Sequence, residues 1–565
     1  MLLVVLSVTT GLVEAVLLAL IAAMAAALAQ GDSTIAISIG PATFDESRTV
    51  TFVIAIALAL LRAGLQVVLA YVPAQLSAKL LADLRGQLFT AFTNSSWAVK
   101  ANQRDGTFQT LMTQHVTNVS TAVISLGTGV TAAIMFTVMV IGAFVQSPVA
   151  AAVLTVAAFG LFFALRPLSR RLRRYAKQLS TEAMQFTETV QEIVTVAEET
   201  EVFGATSTYT DKFHDQVEAV RRPHARTRFL AGALPAMYQS IALLMLVVAL
   251  IAMSVVGVGQ LASLAAVILM LIRALTYGQQ IQSTLTAIDE RVPYMNRIVE
   301  QLRQYRENPQ QDGPTDVDQI DRLEVSDITF AYRPGVDVLH GVTFGLGRGE
   351  AIGIVGPSGA GKSSIVQLLL RLREPAGGAV LANGRDVREL TRSSWQQRVA
   401  YVPQTSQLIW GTVRDNIRFY RDELDDDQVE RAARRAHIHD DIVALPQGYD
   451  TVIGQRVSAV SGGQRQRICM ARALAGEPEV LILDEPTSAL DVRSEELVQQ
   501  SLQAIKADTI LILVAHRLST LAVCDRIVVM VDGKVSAVGT QDDLVDHSDF
   551  FREVTEITQR QTVQG

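Results

Sequence analysis

The chain has 565 residues, too many for one ordinary domain, and 49% of them are hydrophobic at a mean hydropathy of +0.28. A net charge of −7 and a pI near 5.7 argue against a nucleic-acid partner. Two cysteines, Cys469 and Cys524, lack C-x-x-C spacing, which excludes a disulfide framework or a cysteine zinc site and leaves buried, reduced thiols.

The averages conceal two unlike parts. Residues 1–300 carry several apolar runs, whereas residues 301–565 are mixed and highly charged. The first run, 2–29, is interrupted by Glu14. No basic segment precedes it and it is too long for the apolar core of a signal peptide, so it reads as a membrane helix in which the chain begins. Further runs lie near 50–72, 121–145, 147–165, 230–256 and 261–277. Each is long enough to cross a hydrocarbon core at about 20 residues per helix. Six spans leave both chain ends on one side.

Charge indicates which side. Arg166, Arg170, Arg171, Arg173, Arg174 and Lys177 follow the fourth span, and Arg221, Arg222, Arg226 and Arg228 precede the fifth. The first loop, 31–49, holds Arg48 against Asp32, Asp45 and Glu46. The positive-inside rule therefore places 73–120 and 166–229 in the cytoplasm, and the turns near Ser147 and Gly257-Val258-Gly259 outside. Both cytoplasmic connectors read as helices that continue from the membrane and reverse near 94–105 and 201–210. Polar residues inside the apolar runs are costly: Glu14, Arg62, Arg273, Gln279 and Gln280 qualify. Three readings of Arg62 and Arg273 stay open: pairing with a carboxylate, lining a watery cavity, or lying nearer an interface.

Residues 305–322, broken by Pro309, Gly313 and Pro314, read as a linker between a membrane domain, 1–304, and an α/β domain, 323–565. In the latter, Gly356-Pro357-Ser358-Gly359-Ala360-Gly361-Lys362-Ser363 fits the phosphate-binding loop. Small residues let backbone N–H groups converge on a polyanion, Lys362 supplies a charge for the β/γ-phosphates and Ser363 a hydroxyl for Mg²⁺. An apolar strand, 351–355, enters the loop, and a helix beginning at Ser364 leaves it with its positive end toward the phosphates. A second strand, 480–484, ends in Asp484-Glu485, suited to Mg²⁺ and to polarising an attacking water. Gln404 and His516 each stand just past further strands. Ser461-Gly462-Gly463-Gln464-Arg465 precedes another helix and reads as a second anion-binding turn. Two such turns in one domain suggest a site shared between two copies.

With these motifs in place the soluble part resembles the nucleotide-binding domain of ABC transporters. The whole chain resembles a bacterial ABC exporter half-transporter: a polytopic α-helical membrane domain of six helices fused to an α/β P-loop ATPase domain. The resemblance implies that Tyr332 stacks on adenine, that Lys362 and Ser363 bind phosphate and Mg²⁺, and that Gln404 senses Mg²⁺ and the attacking water. It implies that Ser461 and Gly463, in the turn completed by Gly462 and Gln464, contact ATP on the partner subunit. It makes Asp484 a Mg²⁺ ligand, Glu485 the catalytic base and His516 a γ-phosphate contact. Ser488-Ala489-Leu490-Asp491 would cross the dimer interface, and the turns near 94–105 and 201–210 would act as coupling helices. Two departures stand out: Gly454-Gln455-Arg456-Val457 replaces the usual Gly-Glu-Arg-Gly, and an elbow helix before the first span is missing. The implied protein lies in the cytoplasmic membrane with its ATPase inside the cell. It pairs with a second half-transporter, as homodimer or heterodimer, and exports a small or amphipathic cargo of the drug or lipid class. Import of a metal chelate such as a siderophore, or an ATP-gated channel or sensor, are the alternatives.

Overall fold

The computed structural model describes the chain apart from residues 31–33, 40–41, 104–105, 257–260, 455–459, 488–490, 516 and 565. It divides into two units, Met1–Ser95 with Asn102–Asn308, and Ser96–Ala101 with Pro309–Gly565.

The first unit is built from long helices. In chain order these are α1 (Leu2–Gln30), α2 (Arg48–Thr93), a short α4 (Thr107–Thr110), α5 (Val116–Gln146), α6 (Pro148–Thr195), a short α7 (Ala197–Val202), α8 (Thr206–Val256) and α9 (Leu261–Glu307). A five-residue helix, α3 (Trp97–Ala101), falls between α2 and α4 and groups with the second unit. The six expected apolar runs fall on α1, α2, α5, α6, α8 and α9, several of which continue well past the apolar stretch. Among the described residues, Leu2–Leu28, Arg48–Thr93 and Thr107–Gln146 are long and apolar enough to cross a membrane. Hydrocarbon offers no partner for backbone polar groups, so helices satisfy them internally. Prolines 73, 167, 223, 235 and 293 are tolerated inside these helices.

Small side chains draw the helices together. Ala132, Met135, Met139 and Ala143 of α5 are buried against Val267, Met270 and Ala274 of α9 and Ala15 of α1. A Cβ on Gly129 would stand 2.5 Å from Thr284 of α9, so only glycine permits this approach. Where 31–49 reads as a simple loop, the structure instead has an antiparallel pair, β1 (Thr34–Ile39) and β2 (Ala42–Ser47), with Ile35 buried. The alternating, β-branched Thr34-Ile35-Ala36-Ile37-Ser38-Ile39 accounts for it. The expected reversal near 201–210 occurs at Gly204, which has φ +63, beside the exposed Val202 and Phe203. The turn expected at 257–259 lies outside the described residues.

The second unit holds two principal sheets. β4 (Val336–Gly347), β3 (Arg322–Arg333), β6 (Gly377–Ala382) and β7 (Arg385–Asp386) form an antiparallel sheet in that order. The other runs β14 (Lys534–Gly539), β13 (Arg526–Val531), β5 (Ala351–Val355), β12 (Ile510–Val514), β11 (Val480–Asp484), β8 (Val399–Val402). All its pairings are parallel except β13 with β14. β5 and β12 are buried along their whole length, as strands covered on both faces must be. A two-stranded pair, β9 (Gly411–Thr412) and β10 (Val452–Ile453), lies apart from both.

Both thiols sit in this unit and are free. Burial pushes the Cys469 thiol up, and pushes Cys524 to about 12. At pH 8 the Cys524 thiolate would then be roughly one part in ten thousand. Maleimide should therefore leave Cys524 unlabelled in the native chain at pH 8 and label it once the chain is unfolded; mass spectrometry of the labelled peptides reads the difference.

Candidate functional site

The register of the parallel strands determines where the site lies. Val514 pairs with Ile354, Asp484 with Val514, and Leu483 with Val402. The chain therefore leaves β5, β12, β11 and β8 at one level, where open parallel sheets present their ligand crevice. The phosphate loop leaves β5 there, Glu485 leaves β11, and Gln404 stands two residues past β8. His516, two residues past β12, lies outside the described residues, as do Ser488, Ala489 and Leu490.

The loop from Gly356 to Gly361 leads into α10 (Lys362–Leu369). Gly361 has φ +94, and a Cβ there would lie 2.5 Å from Leu339, so conformation and space both require glycine. Lys362 is buried, and its Nζ donates to the carbonyls of Gly356 at 2.8 Å and Pro357 at 3.0 Å. Burial lowers its pKa, against the pull of Glu485 and Asp484. The ammonium thus braces two loop carbonyls, and within the loop Ala360 N–H donates to Pro357 O at 3.2 Å. Ser363 is exposed between the buried Lys362 and Ser364. Ser364 lies 3.0 Å, hydroxyl to hydroxyl, from Tyr332. The Tyr332 ring is about half exposed, with Phe330 edge-on at 4.9 Å and the Arg373 guanidinium 5.1 Å from its centroid.

Across the crevice, Gln404 Nε2 donates to Glu485 Oε2 at 2.7 Å. Glu485 has φ +49, a conformation rare outside glycine, and its N–H donates to Val514 O at 2.9 Å. This backbone turn presents the carboxylate at the strand end. Tyr401 Oη approaches Asp484 Oδ2 at 3.4 Å; burial and then the Asp484 charge push the phenol well above the ordinary tyrosine range. Tyr401 therefore remains a neutral donor, a role that its place in an apolar strand did not disclose. Asp484, Ser363 and Gln404 offer hard oxygen donors, the class that Mg²⁺ prefers.

Ser461 caps the helix Gly462–Leu474. Its hydroxyl accepts from Gln464 N at 3.2 Å, and its own N–H donates to Gln464 Oε1 at 2.9 Å. Gln464 Nε2 also donates to Asp441 at 3.0 Å. These side chains therefore complete a capping box, while the helix N-terminus, with Ser461 and Gly462 exposed, faces outward. Among the described residues no hydrogen bond joins Ser461 or Gln464 to the phosphate loop. Asp491 caps the helix Val492–Lys506, and its hydrogen bonds from Ser494 hold its carboxyl below the usual range. One link was not foreseen: the buried Gln466 donates to Pro486 O, tying the Ser461-capped helix to the turn after Glu485. A glutamine in an otherwise buried helical stretch is the only sequence signal for it.

Comparison with known proteins gives the family and the fold. The family described as "ABC transporter transmembrane region" matches residues 1–279, and that described as "ABC transporter" matches residues 339–488. The chain is 42% identical over 230 residues to the mycobactin import ATP-binding/permease protein IrtA of Mycolicibacterium thermoresistibile, covering 41% of this chain and 25% of that protein. It is 43% identical over 231 residues to the mitochondrial potassium channel ATP-binding subunit of Pongo abelii, covering 40% and 32%. It is 39% identical over 238 residues to an uncharacterized ABC transporter ATP-binding protein, YfiC, of Bacillus subtilis, covering 42% and 39%. The matched stretch is thus a quarter to two-fifths of each relative. A solved structure of a bacterial Atm1-family ABC exporter with ATP bound superposes with TM-score 0.80 at 25% identity, over 98% of this chain and 97% of that one.

Ser461→Ala removes the acceptor of the capping box and should lower the stability of this region by about 1 kcal/mol. Ser461→Asp, which restores a capping oxygen, should melt close to wild type; thermal denaturation of the whole chain in nanodiscs compares the two.

Proposed function

This chain belongs to the ABC transporters, ATPases coupled to transport, with an exporter-type membrane region and one ATP-binding domain in a single chain, and from that premise we propose that it exports a small or amphipathic molecule across the cytoplasmic membrane as a dimer. Two ATP molecules would lie between the loop 356–363 of one subunit and the Ser461-capped helix of the other. Tyr332 would stack on the adenine, and Asp491 would sit at the dimer interface. Lys362, its ammonium already held at the loop mouth, would face the β/γ-phosphates once ATP replaces its carbonyl partners. Ser363, Asp484 and Gln404 would hold Mg²⁺, which offsets phosphate charge when bound.

The observation that carries the hydrolytic reading is the 2.7 Å contact between Gln404 and Glu485 beside the phosphate loop. Glu485 would accept a proton from the attacking water, and Gln404 would hold that carboxylate in line with it. His516 would contact the γ-phosphate. Closure of the ATP-bound dimer would act on the membrane part through 94–105 and 201–210. The full-length likeness to an exporter favours outward transport. The relative named for mycobactin import supports a second reading, uptake of a metal chelate, over a smaller share of the chain.

Removal of the general base should lower turnover about a hundredfold or more. The chain in lipid nanodiscs should hydrolyse ATP, and Glu485→Gln should bind ATP without turning it over. Retention of most of the rate would exclude Glu485 as the base. ATP binding without turnover in either protein would point to a required second half-transporter.

A further inference from the structure

Across the six apolar runs the sequence contains three charged side chains, Glu14, Arg62 and Arg273. They come from three separate helices, α1, α2 and α9, and the structure brings all three to one point. Of the three readings left open by the sequence, pairing with a carboxylate is the one observed. Glu14, near the middle of Leu2–Leu28, is almost wholly buried.

Both oxygens of the Glu14 carboxylate are engaged by α9. Oε1 accepts from Arg273 Nε at 2.6 Å and Nη2 at 2.5 Å, and Oε2 accepts from the Tyr277 hydroxyl at 2.6 Å. Arg273 Nη2 also donates to Tyr277 Oη at 3.2 Å. Glu14 and Arg273 already balance. Arg62 arrives as a third partner at 3.1 Å, on an oxygen that is already taken, and its Nε is buried without a hydrogen-bond partner. Its side chain is 24% exposed and hence reachable. One glutamate and two arginines leave a surplus of one positive charge in surroundings where an unbalanced charge is expensive. Ala15, Met270 and Ala274, beside these residues on α1 and α9, belong to a buried apolar cluster, and α5, which packs against α1 and α9, carries no charged residue.

We propose that Arg62, backed by the Glu14–Arg273–Tyr277 cluster, binds the anionic head of a singly charged amphiphile whose apolar body lies against the membrane helices. The head, a carboxylate or phosphate diester, completes the charge balance at the exposed part of the Arg62 side chain. Transport of such a molecule as cargo rests on the function proposed above; the anion site itself does not.

The test uses the whole chain in nanodiscs of phosphatidylcholine with radiolabelled decanoate, corrected for uptake by empty nanodiscs. Decanoate should bind saturably, and decanol, of equal chain length but uncharged, should fail to displace it. Arg62→Gln should weaken binding at least about tenfold, and Arg62→Lys should recover most of it. Displacement by decanol as effective as by decanoate, which requires no variant, overturns the proposal, as does unchanged binding in Arg62→Gln. Repeating the measurement with phosphatidylglycerol in the disc separates the sources of the anion. Lost decanoate binding identifies a lipid headgroup in the same site, and retained binding identifies a free anionic molecule. Decanoate binding without ATP-driven transport would overturn the transport reading alone; transport that does not discriminate charge would overturn only this one.

Discussion

A strand buried on both faces and paired on both edges is held in register, because sliding would break the hydrogen bonds on both edges and the close packing on both faces. β5, β12 and β11 are held in this way, and their pairing places Ile354, Val514 and Asp484 at one level. The placing of the phosphate loop and the Asp484-Glu485 pair follows from that constraint. The phosphate loop, the Asp484-Glu485 pair and Gln404 are separated by tens of residues in the chain, yet leave the sheet at the same edge. The turn at Glu485, with its positive φ, turns a strand end into a carboxylate pointed at Gln404.

The membrane part obeys a different rule. Hydrocarbon penalises polar groups that have no partner, so backbone bonds close within helices and the few charged side chains seek one another. Glu14, Arg273 and Tyr277 form a charge-balanced set joining α1 to α9. Arg62 adds a charge that the set does not require for its own balance. A protein folding only for stability gains little from that arrangement, since apolar substitutes are often as stable as buried ion pairs.

Capping residues show how one side chain serves two ends. Ser461 and Gln464 satisfy each other across the start of a helix, which orients the helix and leaves its positive end facing outward. Asp491 caps the helix Val492–Lys506 with a single bond, accepting from Ser494 N. The roles proposed for these residues at a dimer interface are compatible with their local roles as caps, because capping uses the side chain while an anion meets the helix N-terminus through backbone N–H groups.

Much of the chemistry was legible in residue types and spacing. A glycine-rich loop between an apolar strand and a helix has few physical meanings, and Asp484-Glu485 at the end of a second apolar strand narrows them further. The runs 2–29 and 50–72 announce membrane helices because hydrocarbon thickness dictates their length. Local patterns reach only local structure, however: the alternation in Thr34–Ile39 permits a strand, and the partner that makes it one is supplied by Ala42–Ser47. Which charged groups meet, that Tyr401 faces Asp484, and that Gln466 holds the turn after Glu485 depend on contacts between distant segments. The sequence by itself determined the two-part architecture and the nucleotide chemistry, since both rest on short stretches read at a fixed period. Only the tertiary structure decided that the three membrane charges converge, because helix packing, and no spacing along the chain, sets which side chains share one low-dielectric site.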